Sequence, residues 1–227
     1  MEYEIRGGSF PLVVCKLQKG ETIQNETGAM SYMTSGIKME TNTGGGLLKG
    51  FGRALSGDTI FLNFFTAEQD NEEIGFAART PGKIMPIHLN GSNSIIGQKN
   101  AFLAAEKDVN IDMYFKKKLG AGLFGGEGFI LQKFTGNGVV FLEIDGEVIE
   151  RDLQPGEKLR VDPGHIAALE ESVNFDIERV KGVKNILFGE GLFFTTLTGP
   201  GKVWLQTMPI SRLAEAIIPY VPTSSGA

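Results

Sequence analysis

The chain carries an internal threefold repeat, and this feature constrains its fold more than any single residue. In each copy a leucine is followed by an amide, a turn and a second aliphatic residue six positions on, at 17–23, 89–95 and 153–159. The register then continues without a gap to 28–30, 100–102 and 164–166. Self-similarity in a fixed order, at a spacing of roughly seventy residues, is typical of a chain built from one repeated supersecondary unit.

Two further elements recur downstream in the same order. The first is a glycine-flanked apolar pair, at Leu47-Leu48, Leu123-Phe124 and Leu192-Phe193. The second is a short apolar run, at 60–62, 140–142 and 203–205. These elements place three β-rich repeats at 3–75, 76–146 and 147–209. We expect the repeats to pack as one body around a pseudo-threefold axis.

Most of the chain shows short apolar or alternating runs between turn signals, which is the pattern of β-strands. The segment after Pro209 differs, because its apolar residues share one face of a helix. They are Ile210, Leu213, Ala214, Ile217 and Ile218. Pro219 then supplies a stop. The sequence therefore predicts an all-β fold with a short C-terminal helix over 210–218, packed on the sheet.

Charge and composition argue against a nucleic-acid-binding protein and a membrane protein. A net charge of −5 argues against a general nucleic-acid binder, which usually presents a basic surface. The first residues show neither a basic leader nor an apolar signal region, and no run reaches the length of a membrane span. We therefore expect a cytoplasmic protein. The single cysteine, Cys15, lies in an apolar run and is interpreted as a buried core thiol.

The candidate motifs for cofactor binding, metal binding and catalysis lack the context or the spacing that these functions require. The glycines at 120–125 match a dinucleotide fingerprint, but strand-like residues follow them, and the match coincides with the repeat. His88 and His165 lack metal-ligand spacing. We interpret His165 as a hydrogen-bonded turn residue and His88 as a solvent-facing strand residue. The sequence thus predicts no catalytic residue, no cofactor and no metal site.

The glycine-flanked apolar pairs are the main candidate site, with two interpretations. Apolar residues that recur in every repeat usually pack together, which favours an axial core. The alternative is an exposed rim that docks a partner or contacts an anionic membrane weakly. Basic residues nearby would assist membrane contact: Lys116, Lys117, Lys118, Lys181 and Lys184.

Several motifs resemble one known family. The opening Tyr3-Glu4-Ile5, the Gly-Gly-Gly-Leu-Leu-Lys-Gly stretch at 44–50 and the Gly-Pro-Gly-Lys-Val-Trp-Leu-Gln-Thr stretch at 199–207 look like the altered-inheritance-of-mitochondria type family. The resemblance covers residues 3–218. It implies a fold similar to the tryptophan RNA-binding attenuator protein, and it brings no established catalytic residues.

From these observations we expect a non-enzymatic binding or scaffold protein. We expect a homo-oligomer or a protein partner, bound through an exposed strand edge or through the glycine-rich tips. The alternative is a small-molecule-binding protein or enzyme with its site between repeats, where a polar pocket would be needed.

Overall fold

The computed structural model describes residues 1–26, 28–41, 62–117, 128–179 and 193–221. Within these ranges the chain forms eighteen β-strands and one α-helix, α1 (Ile210–Ile217). The strands are β1 (Glu2–Arg6), β2 (Leu12–Leu17), β3 (Thr22–Glu26), β4 (Met30–Met33), β5 (Ile37–Thr41), β6 (Leu62–Ala67), β7 (Glu72–Ala77), β8 (Gly82–Asn90), β9 (Ile95–Gln98), β10 (Phe102–Glu106), β11 (Val109–Lys117), β12 (Phe129–Asp145), β13 (Val148–Leu153), β14 (Lys158–Val161), β15 (Ile166–Glu170), β16 (Asn174–Arg179), β17 (Phe193–Thr198) and β18 (Gly201–Gln206). The prediction of a mostly β fold with a short C-terminal helix is confirmed.

The chain divides into two compact units. The first comprises Met1–Ser94, Asn100–Ile111 and Phe134–Glu143. The second comprises Ile95–Lys99, Asp112–Lys133 and Ile144–Ala227. The first and third predicted repeats each lie within one unit, whereas the predicted repeat 76–146 contributes to both. The pseudo-threefold axis stays a prediction.

In the first unit, β1, β2, β7 and β4 form a four-stranded sheet, and β10, β3, β6 and β5 are successive neighbours in another. The core contains Phe65 and Phe76, whose rings meet edge to face with centroids 5.9 Å apart. Cys15 belongs to this core, which confirms the interpretation of a buried thiol. Burial raises the pKa of the Cys15 thiol to about 12.

In the second unit, β13, β18, β15 and β9 are successive neighbours in a sheet, and β14, β17 and β16 form a separate three-stranded sheet. Their inward side chains form one apolar cluster that includes Ile166, Leu169, Leu197 and Val203. Each of these four side chains is fully buried. The period of two in strands places every second residue on the inner face, so short strands can supply this core.

The strands of the first and third predicted repeats pair in the same pattern. In the first repeat β2 and β4 pair with β7, while β3 and β5 pair with β6. In the third repeat β13 and β15 pair with β18, while β14 and β16 pair with β17. In the second predicted repeat β8, β9, β10 and β11 all pair with the long strand β12.

A β-bulge occurs at the same place in each predicted repeat. One extra residue interrupts the ladder at Ser31 in β4, Leu103 in β10 and Ala167 in β15. In the first repeat the strand opposite the bulge is β7, whereas the sequence pattern had placed this element at 60–62. The pattern was misleading because apolar runs occur in both β6 and β7, and only the pairing distinguishes them.

The opening turns also share one hydrogen bond. Gly20 and Gly156 adopt φ angles of +87° and +78°, which glycine reaches without strain. A backbone N–H at the start of each turn donates to a side-chain oxygen three residues later. The bonds run from Gln18 to Glu21 (2.8 Å), from Asn90 to Asn93 (2.9 Å) and from Gln154 to Glu157 (2.9 Å).

The C-terminal helix lies where the sequence predicts it, but its environment differs from the prediction. Helix α1 spans Ile210–Ile217, and a short 3-10 turn, Ile218–Tyr220, follows it. None of the residues of α1 is buried, so the expectation that it packs on the sheet is wrong. None of the helices in the described residues combines the length and the apolar character needed to cross a bilayer.

Candidate docking surface

Exposed apolar side chains concentrate at the C-terminal end of the described chain. Fifteen large apolar side chains are exposed among the described residues, and six of them lie between 208 and 221. Their exposed fractions range from 44% to 85%. We call this set the C-terminal surface: Met208, Ile210, Ile217, Ile218, Tyr220 and Val221. Contiguous exposed apolar area on a protein often marks a binding site, whereas single exposed side chains need no explanation.

The start of α1 is fixed by Asp145, the last residue of β12. The Asp145 carbonyl accepts a hydrogen bond from the Met208 N–H at 3.1 Å, and its carboxylate accepts one from the Ile210 N–H at 2.8 Å. The first N–H groups of a helix have no partner within the helix. A carboxylate there satisfies one of them and interacts favourably with the helix dipole.

A second carboxylate holds the first turn of the helix. Arg212 donates to the Asp162 carboxylate at 3.1 Å and to Glu215, three residues on, at 2.9 Å. The hydrogen bond to Glu215 raises the pKa of Arg212, and the charge of Asp162 adds to this effect. Arg212 therefore stays charged, and its side of the helix is tied to the second unit by polar contacts.

The residues before the helix form a buried polar support. The Gln206 side chain accepts a hydrogen bond from the Asp145 N–H at 3.1 Å and donates one to the Gly164 carbonyl at 2.8 Å. The His165 Nδ1 lies 2.7 Å from the Gln206 carbonyl oxygen. His165 is thus a hydrogen-bonded turn residue, as predicted.

The apolar face of α1 is left largely open. Ile210, Leu213, Ala214 and Ile217 share this face by their spacing. Leu213 is half-buried and the other three are exposed. Asp145 and Asp162 hold the helix through its backbone and its polar side, whereas the apolar face is covered only in part, at Leu213. The arrangement suits it for binding another apolar surface.

The structure describes one of the six apolar residues that the sequence singled out. Phe193 begins β17, and its half-buried ring packs against the core of the second unit. The remaining members of the candidate set lie outside the described residues: Leu47, Leu48, Leu123, Phe124 and Leu192.

The basic candidates divide in the same way. Lys116 and Lys117 are exposed at the end of β11, and the Lys117 Nζ donates to the Ile177 carbonyl at 2.9 Å. Lys118, Lys181 and Lys184 lie outside the described residues. The proximity of these five lysines to the glycine-flanked apolar pairs therefore stays a prediction.

His88 is exposed on β8, as predicted, and its Nε2 lies 3.2 Å from the Tyr3 hydroxyl. In the ranges that the structure describes, no three His, Cys, Asp or Glu side chains come together so as to hold a metal ion.

Sequence reasoning found α1 but missed the C-terminal surface. The pattern at 210–218 showed which side chains share a face, and it was interpreted as a face buried against the sheet. One signal could have suggested otherwise: the apolar residues continue past Pro219 as Tyr220 and Val221, beyond any regular helix.

Comparison with known proteins gives three findings. The sequence model of a family described as mitochondrial biogenesis AIM24 matches residues 3–208. An uncharacterized protein of Streptococcus pyogenes serotype M6 is 29% identical over 229 residues, which span 97% of this chain and 90% of that protein. The X-ray crystal structure of a protein from Streptococcus pyogenes is similar with a TM-score of 0.77 and 24% identity, covering 97% of this chain and 99% of that one. The structural likeness supports the fold.

Proposed function

The chain belongs to the mitochondrial biogenesis AIM24 family, and from its candidate site we propose that it is a non-enzymatic binding or scaffold protein. It docks a protein partner through the C-terminal surface. The observation that carries this proposal is the concentration of six exposed apolar side chains in 208–221. Leaving such side chains in water forgoes roughly 25 cal/mol for each Å² of apolar surface, which a bound partner would recover.

The attachment of α1 supports a docking role. Carboxylates of Asp145 and Asp162 fix the backbone and the polar side of the helix, so the apolar face is presented in one orientation. A preorganised surface loses less conformational freedom when it binds than a mobile one. The surface is therefore suited to a specific partner rather than to loose adhesion.

The repeated strand pattern supports a scaffold built from three copies of one unit. The same four pairings occur in the first and third predicted repeats, and the same bulge occurs in all three. We propose that the chain arose as three such units with a fold related to the tryptophan RNA-binding attenuator protein. An RNA-binding function does not follow from that likeness, because a fold supports many functions.

Site-specific photocrosslinking of the full chain in cells tests the docking role. A photoreactive amino acid would replace Ile217, which is 50% exposed, and in a control chain Met39 of β5, which is 44% exposed. We expect a protein adduct from position 217 and none from position 39. Equal adduct formation at both positions, or none at 217, would overturn the proposal.

Thermal melting in the presence of a metabolite library tests the alternative of a small-molecule site. We expect no compound to raise the melting temperature, because the proposal needs no pocket. A reproducible rise that saturates with ligand concentration would indicate a ligand-binding protein or enzyme instead.

A further inference from the structure

We infer that the partner at the C-terminal surface is a second copy of this chain, docked with its α1 antiparallel to the first across a twofold axis. The inference rests on the proposed docking function and names its partner. Three properties of the surface support it: the symmetry of its apolar face, the absence of charged side chains from that face and its size.

The apolar face of α1 is complementary to itself. It begins and ends with isoleucine, at Ile210 and Ile217, and has a large and a small residue, Leu213 and Ala214, at its centre. An antiparallel pairing about the Leu213–Ala214 midpoint places Ile210 opposite Ile217 of the second copy. The same operation places Leu213 opposite Ala214, so a large side chain meets a small one twice. Such a match is what an isologous interface requires.

The charges of the helix favour a neutral partner. Arg212 and Glu215 lie on the polar face and form an ion pair with each other. Two further carboxylates, Asp145 and Asp162, bind the helix at its first turn. An anionic membrane attracts helices with an excess of lysine and arginine, and α1 has no such excess. Arg212 and Glu215 cancel within the helix, and Asp145 and Asp162 are engaged at its first turn, so a second copy brings no charge to the apolar face itself.

The size of the surface indicates a weak dimer. Standard stable interfaces bury about 800 Å² on each partner, which two short helices do not reach by themselves. Met208 precedes α1 in the chain, Ile218, Tyr220 and Val221 follow it, and all four are exposed, so they add apolar area at both ends of the helix sequence. We therefore expect a dissociation constant on the order of micromolar, in the range of small or transient interfaces.

Sedimentation velocity of the full chain over a range of micromolar concentrations tests the dimer. We expect the wild-type chain to shift from monomer to dimer as its concentration rises. Ile217→Asp should remain monomeric, because a charge would be buried at the interface. Met39→Asp is the matched control in the first unit and should dimerise like the wild type. A dimer that persists unchanged in Ile217→Asp would overturn the inference.

Disulfide crosslinking tests the orientation of the helices. Ala214→Cys places a thiol next to the proposed twofold axis, whereas Glu215→Cys places one on the polar face. The native Cys15 is buried and its pKa is raised to about 12, so it should not compete. We expect Ala214→Cys to form a covalent dimer several-fold faster than Glu215→Cys. Equal rates would contradict the antiparallel pairing.

Two outcomes separate this inference from the proposed function. If position 217 crosslinks to a different protein while the chain sediments as a monomer, docking stands and self-association is wrong. If the chain instead binds vesicles of equal parts phosphatidylcholine and phosphatidylglycerol, and Ile217→Asp abolishes that binding without any dimer in solution, the partner is a membrane and the inference is overturned.

Discussion

The core of the second unit and the C-terminal surface are built from the same residue types and behave in opposite ways. Leu169, Leu197 and Val203 lie on paired strands and have no exposed area. Ile210, Ile217 and Ile218 are exposed by 44% to 66%. The strands are covered because each contributes one face to a shared core, whereas α1 is held by polar contacts to Asp145 and Asp162. Apolar spacing thus identifies a face, and other contacts decide whether that face is covered.

The largest expected effect on stability comes from truncating a leucine in the core of the second unit, and truncating an isoleucine of the C-terminal surface provides the comparison. Leu169→Ala should lower the free energy of unfolding by about 2–5 kcal/mol, because it leaves a cavity in a closed core. Ile218→Ala should change it by less than about 0.5 kcal/mol, because the side chain is already in water. Urea denaturation followed by fluorescence and circular dichroism measures both. Similar losses in the two variants would mean that the C-terminal surface is covered by its own chain.

A second test compares two arginine–carboxylate pairs. Arg79 binds Glu143, which is only 4% exposed, through its backbone N–H at 2.8 Å and through its guanidinium. Arg79→Met should cost about 2–3 kcal/mol, somewhat below the usual value for a buried pair because Arg79 itself is partly exposed. Arg212→Met removes a surface pair and should cost less than about 1 kcal/mol. Equal losses of unfolding free energy in the two variants, measured by the same urea denaturation, would show that the Arg79 pair is no more buried in effect than the Arg212 pair.

Removing one of the contacts that hold the start of α1 should destabilise the helix without destabilising the sheets. Asp145→Ala removes the acceptor of the Ile210 N–H, and loss of such a contact at a helix start costs about 1 kcal/mol. We expect faster amide hydrogen exchange in α1 with little change in the core amides of β15 and β18. Asp152→Ala, at an exposed position on neighbouring β13, is the control and should leave exchange in α1 unchanged. A global loss of protection in Asp145→Ala would show that α1 unfolds together with the sheets.

The smallest expected effect on stability comes from the N-terminal ammonium, which is paired with carboxylates, whereas the C-terminal surface is open to solvent. The Met1 ammonium lies 3.0 Å from Glu21 and 3.6 Å from Glu106. The hydrogen bond to Glu21 raises its pKa, and both carboxylate charges add to this against the effect of burial. Because the folded-state pKa is raised, the contribution to stability is full below the ordinary value of about 8 and is lost as pH rises through the raised pKa.

Denaturation between neutral and alkaline pH, with an N-acetylated chain as reference, measures this contribution. The free chain should lose more stability than the acetylated chain as the ammonium deprotonates, because only the free chain has this group. Parallel curves for the two chains would show that the contacts of Met1 do not stabilise the fold.

Much of the fold could be predicted because its signals are local. The leucines at 17, 89 and 153 are buried, and each is followed by the turn that the repeat pattern predicts, with the same hydrogen bond in all three. The spacing at 210–218 gave the helix bounds to within one residue. Turn chemistry and apolar period depend on neighbouring residues, which a sequence displays directly.

The rest depends on contacts between distant residues. The Asp145 carboxylate that holds α1 lies 65 positions before Ile210, and Asp162 lies 50 positions before Arg212. Glu143 is buried, and Arg79, which binds it, lies 64 positions earlier. No local pattern at 210–218 announces these partners. The sequence therefore could not show which contacts hold α1, and Tyr220 and Val221 were its one local signal that the apolar face would be left open.

The three bulges bear on how chains of this kind can vary in length. Elsewhere in a strand, losing one residue would turn every later side chain to the opposite face of the sheet. At Ser31, Leu103 and Ala167 one residue is already in excess over the opposite strand. Deleting it would restore a regular ladder instead of reversing one. Ser31 is exposed, whereas Leu103 and Ala167 are fully buried. A single-residue deletion should therefore be tolerated at Ser31 among related sequences, whereas deletion at the other two sites would also remove a core side chain.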